Sequence, residues 1–200
     1  MPANLETVAR TRASIHEAAV QLFTKQGFHG TGMRQIAKEA GVSLGNLYNY
    51  HKTKHELFAA ICEEFEKDYT SDRTPIAKAL RSFATLEDLE RLGEASRQTV
   101  RAYSDYIRLI YVDVVELDGE HIRRLFKNMR ARYEDLLGDS LAALELGDVD
   151  PIGAIMTATI SYFYLFNIEY VFGVKRPFGT SDKDMIASIA TVLREGMRPR

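Results

Sequence analysis

Apolar residues recur along this chain at helical spacing, and no alternation of apolar and polar residues runs long enough to specify a strand, so the expected fold class is all-α. Ile15, Ala18, Ala19, Leu22 and Phe23 fall at i, i+3, i+4, i+7 and i+8. With Gly27 as a stop, they predict a first helix of about four turns. Met33, Ile36, Ala37 and Ala40 mark a second helix ending at Gly41. Ser43 is placed to cap a short third helix, LGNLYNYH, and Thr53 with Glu56 has the spacing of a capping box that opens a fourth. A polar run, TSDRT, turns the chain between Tyr69 and Pro75. Another helix is expected from Thr85 to about Tyr103, with a Thr85/Asp88 box, and Val100, Tyr103, Ile107, Ile110, Tyr111 and Val114 continue one apolar stripe. Ile122, Leu125, Phe126, Met129, Tyr133, Leu136 and Leu137 form the next stripe. Asp150 before Pro151 reads as an N-cap with proline at the first helical position, closed by Gly173 and Pro177. A last helix starts near Ser181 and carries Met185, Ile186, Ile189, Ala190, Leu193 and Met197 on one face.

Composition narrows the class. The 200 residues are 46% hydrophobic, which excludes disorder as the main state. One cysteine, Cys62, excludes an intramolecular disulfide framework and a multi-cysteine zinc site, and a buried thiol is its expected role. The N-terminus carries no apolar run of a signal peptide, so a cytoplasmic location is expected. Pro151 to Ile168 is uncharged over 18 residues but carries Thr157, Thr159, Ser161, Tyr162, Tyr164 and Asn167; a buried helix is expected there, and no membrane span.

Charge is unevenly spread. Residues 1–56 hold seven Lys and Arg against four Asp and Glu, with four of the five histidines, whereas residues 57–200 hold 19 against 24. This implies a basic N-terminal module (1–56) for a polyanion and an acidic body (57–200). Within the basic module, MRQIAKEAGVSLGNLYNY (33–50) has the build of a helix-turn-helix: an amphipathic helix, a glycine at the turn, an apolar Val42, then a cap and a second helix. That second helix is anchored by Leu47, while Gly45, Asn46, Tyr48, Asn49 and Tyr50 leave small, amide and phenol groups facing outward. Asn pairs with adenine edges, Gly permits close approach to the groove floor, and tyrosine hydroxyls suit phosphate oxygens. Lys54 in the first turn of the fourth helix opposes the helix dipole, a cost of about 0.3–1 kcal/mol that a bound phosphate would reverse.

Over residues 10–58 the string IHEAAVQLFTKQGFHGTGMRQIAKEAGVSLGNLYNYHKTKHELF resembles the TetR family of transcriptional regulators. The glycine after the first helix, AGVS in the turn, LY in the recognition helix and TKHEL opening the next carry the resemblance. It implies a dimeric, all-helical repressor: an N-terminal three-helix DNA-binding domain reads double-stranded operator DNA, and a C-terminal helical domain binds a small molecule and dimerises. The resemblance further implies Arg34, Leu44, Gly45, Asn46 and Asn49 as base-facing residues, and Thr31, Tyr48, Tyr50 and Lys54 as phosphate contacts. Ser43 belongs to the same DNA-binding set. His51 stands where members usually have Phe, and Leu44 where a polar residue is common, which suggests an apolar contact to a thymine methyl. Arg10 and Arg12 could reach phosphates ahead of the first helix.

In the body, aromatic residues concentrate in Tyr103–Tyr111 and Tyr162–Phe172. Helix core is the bland reading of such stripes. The resemblance raises a pocket for a hydrophobic or aromatic effector, lined by Tyr103, Ile107, Ile110, Tyr111, Val114, Phe126, Met129, Tyr133, Tyr162, Phe163, Phe166 and Tyr170, with Asp113, Asn167 and Arg130 as polar tips. A homodimer through the two C-terminal helices is expected, with Ala154, Ala158 and Ser161 on one half of the seam and Ile186, Ile189, Leu193 and Met197 on the other. No metal, cofactor or catalysis is expected. His51 and His55 lack a third ligand, GTGMRQ lacks the third glycine of a dinucleotide loop, and serine-nucleophile, zinc-protease and P-loop patterns are absent. The alternative is a small-molecule-binding helical protein, or an enzyme using the aromatic pocket, that reads no specific DNA sequence.

Overall fold

Residues 5–144, 146 and 148–198 are described by the structure, a computed structural model. Among them every regular element is helical: α1 (Leu5–Gln26), α2 (Met33–Glu39), α3 (Leu44–Tyr50), α4 (Lys54–Tyr69), α5 (Pro75–Arg81), α6 (Leu89–Ala102), α7 (Ser104–Glu116), α8 (Glu120–Leu137), α9 (Pro151–Tyr170) and α10 (Asp182–Met197), with short 3-10 turns at Leu86–Asp88 and Gly138–Ala143.

Most boundaries follow from local chemistry. The Ser43 hydroxyl accepts from the Asn46 amide, and the Asp150 carboxylate from that of Gly153, with Pro151 next to its cap. At α4 the Thr53 hydroxyl accepts from the Glu56 amide at 3.0 Å, but the Glu56 carboxylate reaches past the expected partner to the Lys52 amide at 2.8 Å. Thr85 and Asp88 form their box on the 3-10 turn ahead of α6.

The helices differ from the expected pattern at three places. First, α1 is 22 residues long and starts well before its apolar stripe. Residues 5–10 are exposed throughout and left no periodicity to read. Second, the stripe from Val100 to Val114 is two helices, broken at Tyr103 (φ −109°, ψ 21°). The Tyr103 hydroxyl donates to Asp68 at 2.6 Å and its ring meets Tyr69 edge-on. Third, α5 follows the TSDRT turn, opened by Thr74 as cap and Pro75 in its first turn, and it buries Ile76, Ala77, Ala79 and Leu80.

The chain forms two compact units. One takes in the chain through Lys67 together with Asp105–Arg124; the other takes in Asp68–Ser104 and the chain from Leu125 onward. The first, called the head below, thus runs past residue 56 and includes α7. Its core joins Ile15, Ala19 and Phe23 of α1, Phe28, Ile36 of α2, Leu47 of α3, Leu57, Phe58 and Ile61 of α4, and Leu109 of α7. Cys62 is buried there, and its thiol is pushed up to about 12 by desolvation, so it is an inert packing group.

In the second unit α6 packs against α5, α9 and α10. The apolar α9 is long enough to cross a membrane by length and composition, yet Ile152, Ile155, Ala158, Thr159, Tyr162, Leu165 and Phe166 are buried within the fold. The residues expected at a subunit seam also pack within this unit. Ala158, Ile186 and Met197 are buried, Ala154 and Leu193 pack on the same core, Ile189 is half-buried, and Ser161 bonds back to the Thr157 carbonyl. Small and aliphatic side chains at helical spacing fit an internal contact as well as an external one. The faces left outward are Thr157, Ile160 and Tyr164 on α9 and Ser188, Thr191 and Val192 on α10.

Gly93 sets the approach of α6 to its neighbours. A Cβ there would lie 2.8 Å from both Ile186 Cγ2 and Tyr162 Cε1. Overpacking of this kind costs about 1–3 kcal/mol, more than the roughly 1 kcal/mol that alanine gains over glycine in a helix. Gly93→Ala is therefore expected to lower the melting temperature by a few degrees (about 2–4 °C per kcal/mol); a rise on thermal unfolding would show that the two side chains move aside freely.

Candidate nucleic-acid interface

The helix-turn-helix is built from α2, the turn at Ala40–Ser43 and α3. Gly41 takes φ +67°, a conformation that glycine adopts without strain, and the Val42 amide bonds to the Ala37 carbonyl, closing the turn. With seven residues, α3 is too short to hold itself, so its rotation is set by packing. Leu47 is 0% exposed, and Leu44 and Tyr50 lean half-buried on the head core. Gly45, Tyr48 and Asn49 (i, i+3, i+4) are then left on the exposed face. Nothing lies within 4 Å of a Cβ at Gly45, and Tyr48 is 40% exposed. This face has no charge and offers an amide, a phenol and bare backbone, a set suited to base edges and phosphate oxygens in a major groove.

The predicted DNA-binding residues are not equivalent in place. Arg34 is exposed in the first turn of α2. Gly45, Tyr48 and Asn49 share the open face; Asn46 sits half-buried at its edge, and Leu44 and Tyr50 are partly spent on packing. Ser43 is exposed, with its hydroxyl engaged in the cap. Two residues are placed inward instead. Thr31 is 2% exposed and donates to the Gly27 carbonyl at 2.7 Å. Lys54 is half-buried: Nζ donates to the carbonyls of Phe28 at 2.6 Å and Thr31 at 2.7 Å and stands 4.4 Å over the Phe28 ring. The ammonium opposes the α4 dipole because it is needed by the turn between α1 and α2, whose carbonyls point at it.

Residues with no local sequence signal complete the site. Lys52 Nζ donates to the Tyr48 carbonyl at 2.9 Å, a cation at the C-terminal end of α3. Glu116, at the end of α7, accepts from the His29 amide at 2.7 Å, so the α1–α2 turn is held by Lys54 from α4 and by Glu116 from α7. Asp113, expected as a pocket tip, is buried and accepts from the amides of His121 and Ile122 and from His121 Nδ1, which ties α7 to the first turn of α8. His51, also buried, meets His16. His55 is exposed and packs on the Phe28 ring.

The expected effector residues divide between the units. In the head, on α7, Ile107 is buried, Ile110 half-buried, and Tyr111 and Val114 are exposed. In the second unit Tyr133, Tyr162 and Phe166 are buried, Tyr103, Met129, Phe163 and Tyr170 half-buried, and Phe126 exposed. Burial pushes the Tyr133 phenol up to about 12 and raises that of Tyr162, whose hydroxyl donates to the Ile186 carbonyl. Phe166 alone of the twelve lines a shallow hollow with Leu165, Glu169, Arg176, Phe178 and Met185. Arg130 pairs with Asp150 at 2.7 Å, and the buried Asn167 Oδ1 has no hydrogen-bond partner.

An outward, uncharged second helix on a helix-turn-helix, in a chain whose described regular elements are all helical, is the architecture of a DNA-binding transcriptional regulator. Residues 15–61 match the family described as bacterial regulatory proteins, tetR family. RutR of Escherichia coli K12, an HTH-type transcriptional regulator, is 24% identical over 200 residues, covering 96% of this chain and 93% of that one. The "Probable HTH-type transcriptional regulator YttP" of Bacillus subtilis is 30% identical over 125 residues, 62% of this chain, and the match spans 60% of the relative. Among solved structures, a TetR family transcription regulator from Marinobacter aquaeolei VT8 shares the fold with a TM-score of 0.68 at 17% identity, covering 98% of this chain and 99% of that one. The match assigns residues 15–61 to the DNA-binding domain of that family, and the chain as a whole shares the fold of its structurally characterised members.

The Lys54 contacts generate a prediction. Lys54→Met keeps the aliphatic stem but leaves two carbonyls without their charged donor, a loss of about 1.5–3 kcal/mol. A lower melting temperature and faster amide exchange at residues 27–31 are expected. Unchanged stability would free the ammonium for a role outside the fold.

Proposed function

We propose that the protein is a ligand-responsive repressor that reads a palindromic operator as a homodimer and leaves it when a small hydrophobic or aromatic molecule binds the helical body. The observation that carries the DNA-reading half is the rotation of α3, fixed by Leu47, which leaves Gly45, Tyr48 and Asn49 outward. Asn49 is then the central base reader, Asn46 and Leu44 flank it, Tyr48 and Ser43 reach phosphates, and Arg34 adds a charged phosphate or base contact.

Dimerisation is supported by the apolar surface left outside the core. Ile160 and Tyr164 on α9 and Val192 on α10, the last 73% exposed, lie on helix faces with small neighbours at Gly153, Ser161 and Ser188. Two copies joined there would form a two-fold contact and present two recognition helices to half-sites about 34–36 Å apart, or a multiple. The effector half is supported by aromatic density in the body and by the Glu116 tie between α7 and the α1–α2 turn. A ligand that favours a displaced α7 would draw the population away from the DNA-competent form.

Selection of binding sites from random duplex DNA tests the reading. Enrichment of a palindrome is expected. Asn49→Ala should cost about 1–3 kcal/mol at one base pair while non-specific binding persists, and Arg34→Ala should reduce the salt slope by about one. Equal loss on every sequence would refute base reading by Asn49. Tyr164→Asp is expected to sediment as a monomer and to lose the palindrome; a dimer that survives it places the subunit contact elsewhere.

A further inference from the structure

His16 on α1, His51 at the C-terminal cap of α3 and Glu64 on α4 form a connected chain inside the head. His51 is 6% exposed and the His16 side chain 13%. Their Nε2 atoms lie 3.2 Å apart, with ring centroids at 5.2 Å and planes inclined by 40°, and His16 Nδ1 lies 2.8 Å from Glu64 Oε2. The described residues hold no group of three or more side chains placed to bind a metal ion.

Proton bookkeeping defines what the pair can do. The Glu64 carboxylate requires an N–H on His16 Nδ1, which leaves the His16 Nε2 lone pair to accept from His51 Nε2–H. One added proton is accommodated on His51 Nδ1. A second places an N–H on both facing Nε2 atoms, and the contact must open. His51 also donates its backbone amide to the Leu47 carbonyl, so opening releases the end of the recognition helix from α1.

We propose that the His16–His51 contact makes the seating of α3, and with it DNA affinity, depend on proton concentration, so that binding weakens on acidification. The inference rests on α3 being the DNA-reading element. Desolvation lowers the pKa of both rings below the ordinary 6.5; Arg12 on α1 and the neighbouring ring add to the lowering, while Glu64 and Glu56 on α4 oppose it. With both values depressed in the closed head, its stability is complete above pH 6.5 and is lost as pH falls through the lowered values. Acidification would otherwise add positive charge and strengthen attraction to phosphate, so the expected sign is opposite to the general one.

The test compares binding of the selected duplex at pH 7.5 and 5.5 at fixed salt. The wild-type chain is expected to weaken by about tenfold at the lower pH. His51→Phe, or His16→Gln if the first does not fold, should hold the ratio to within about twofold. Glu64→Gln, which removes the carboxylate that favours a charged His16, should move the midpoint to lower pH. An NMR titration of the free protein gives a reading without DNA: two coupled imidazole titrations below pH 6.5, with the amides of residues 44–50 moving on the same curve. Unaltered wild-type affinity, equal weakening in the histidine variants, an unmoved Glu64→Gln midpoint, or still amides in α3 would each overturn the proposal; failure to enrich any duplex would instead count against the operator reading and leave the NMR result to decide.

Discussion

The head depends on how six residues, Gly27 to Gly32, turn the chain from α1 to α2. Phe28 must enter the core, where it packs against Phe23 and Phe58, and the backbone beside it goes in too. Polar groups taken out of water need partners, and this turn cannot supply them all itself. Lys54 serves the carbonyls of Phe28 and Thr31, and Glu116 serves the His29 amide. Because α2 begins directly after the turn and carries α3 through a tight connection, the position of the reading face is set by two charged side chains that never join it.

The same logic divides labour on α3. Leu47, Leu44 and Tyr50 spend apolar surface to fix rotation, Ser43 satisfies an amide at one end, and Lys52 meets a carbonyl at the other. What remains outward is the small set Gly45, Tyr48 and Asn49, none of which is required by the core. A side chain can be selected for recognition only where packing makes no demand on it, and on a seven-residue helix that leaves one narrow strip.

Legibility tracked how local each cause was. The caps at Ser43 and Asp150, the stop at Gly27, the turn at Gly41 and the anchor Leu47 are all decided within four residues, and each was readable in sequence. Asn49 on the exposed face is readable for the same reason; the half-buried place of Asn46 at its edge is not, since heptapeptide composition does not distinguish the centre of a face from its edge. The carbonyl partners of Lys54 lie 23 and 26 residues away, so sequence alone shows a cation at a helix N-terminus and not the turn that it serves. Glu116 had no signal at all across 87 residues. The seam residues are a different case: Ala158, Ile186 and Met197 have a pattern that an internal helix contact satisfies as well as a dimer does, and their burial in the chain's own core is not legible in that pattern.

α4 joins these features into one mechanical element. Lys54 in its first turn holds the α1–α2 turn, and Glu64, ten residues on, holds His16 and through it His51 at the end of α3. At a rise of about 1.5 Å per residue the two attachments are about 15 Å apart on a stiff rod. Displacing α4 therefore changes the support of α2 and of α3 together, and neither can be adjusted alone. The α1–α2 turn is also gripped by α7, a helix that follows the break at Tyr103. A head braced in this way ties the position of α3 to that of α4 and α7, so its reading face is placed by whole helices and not by local contacts on α3 alone.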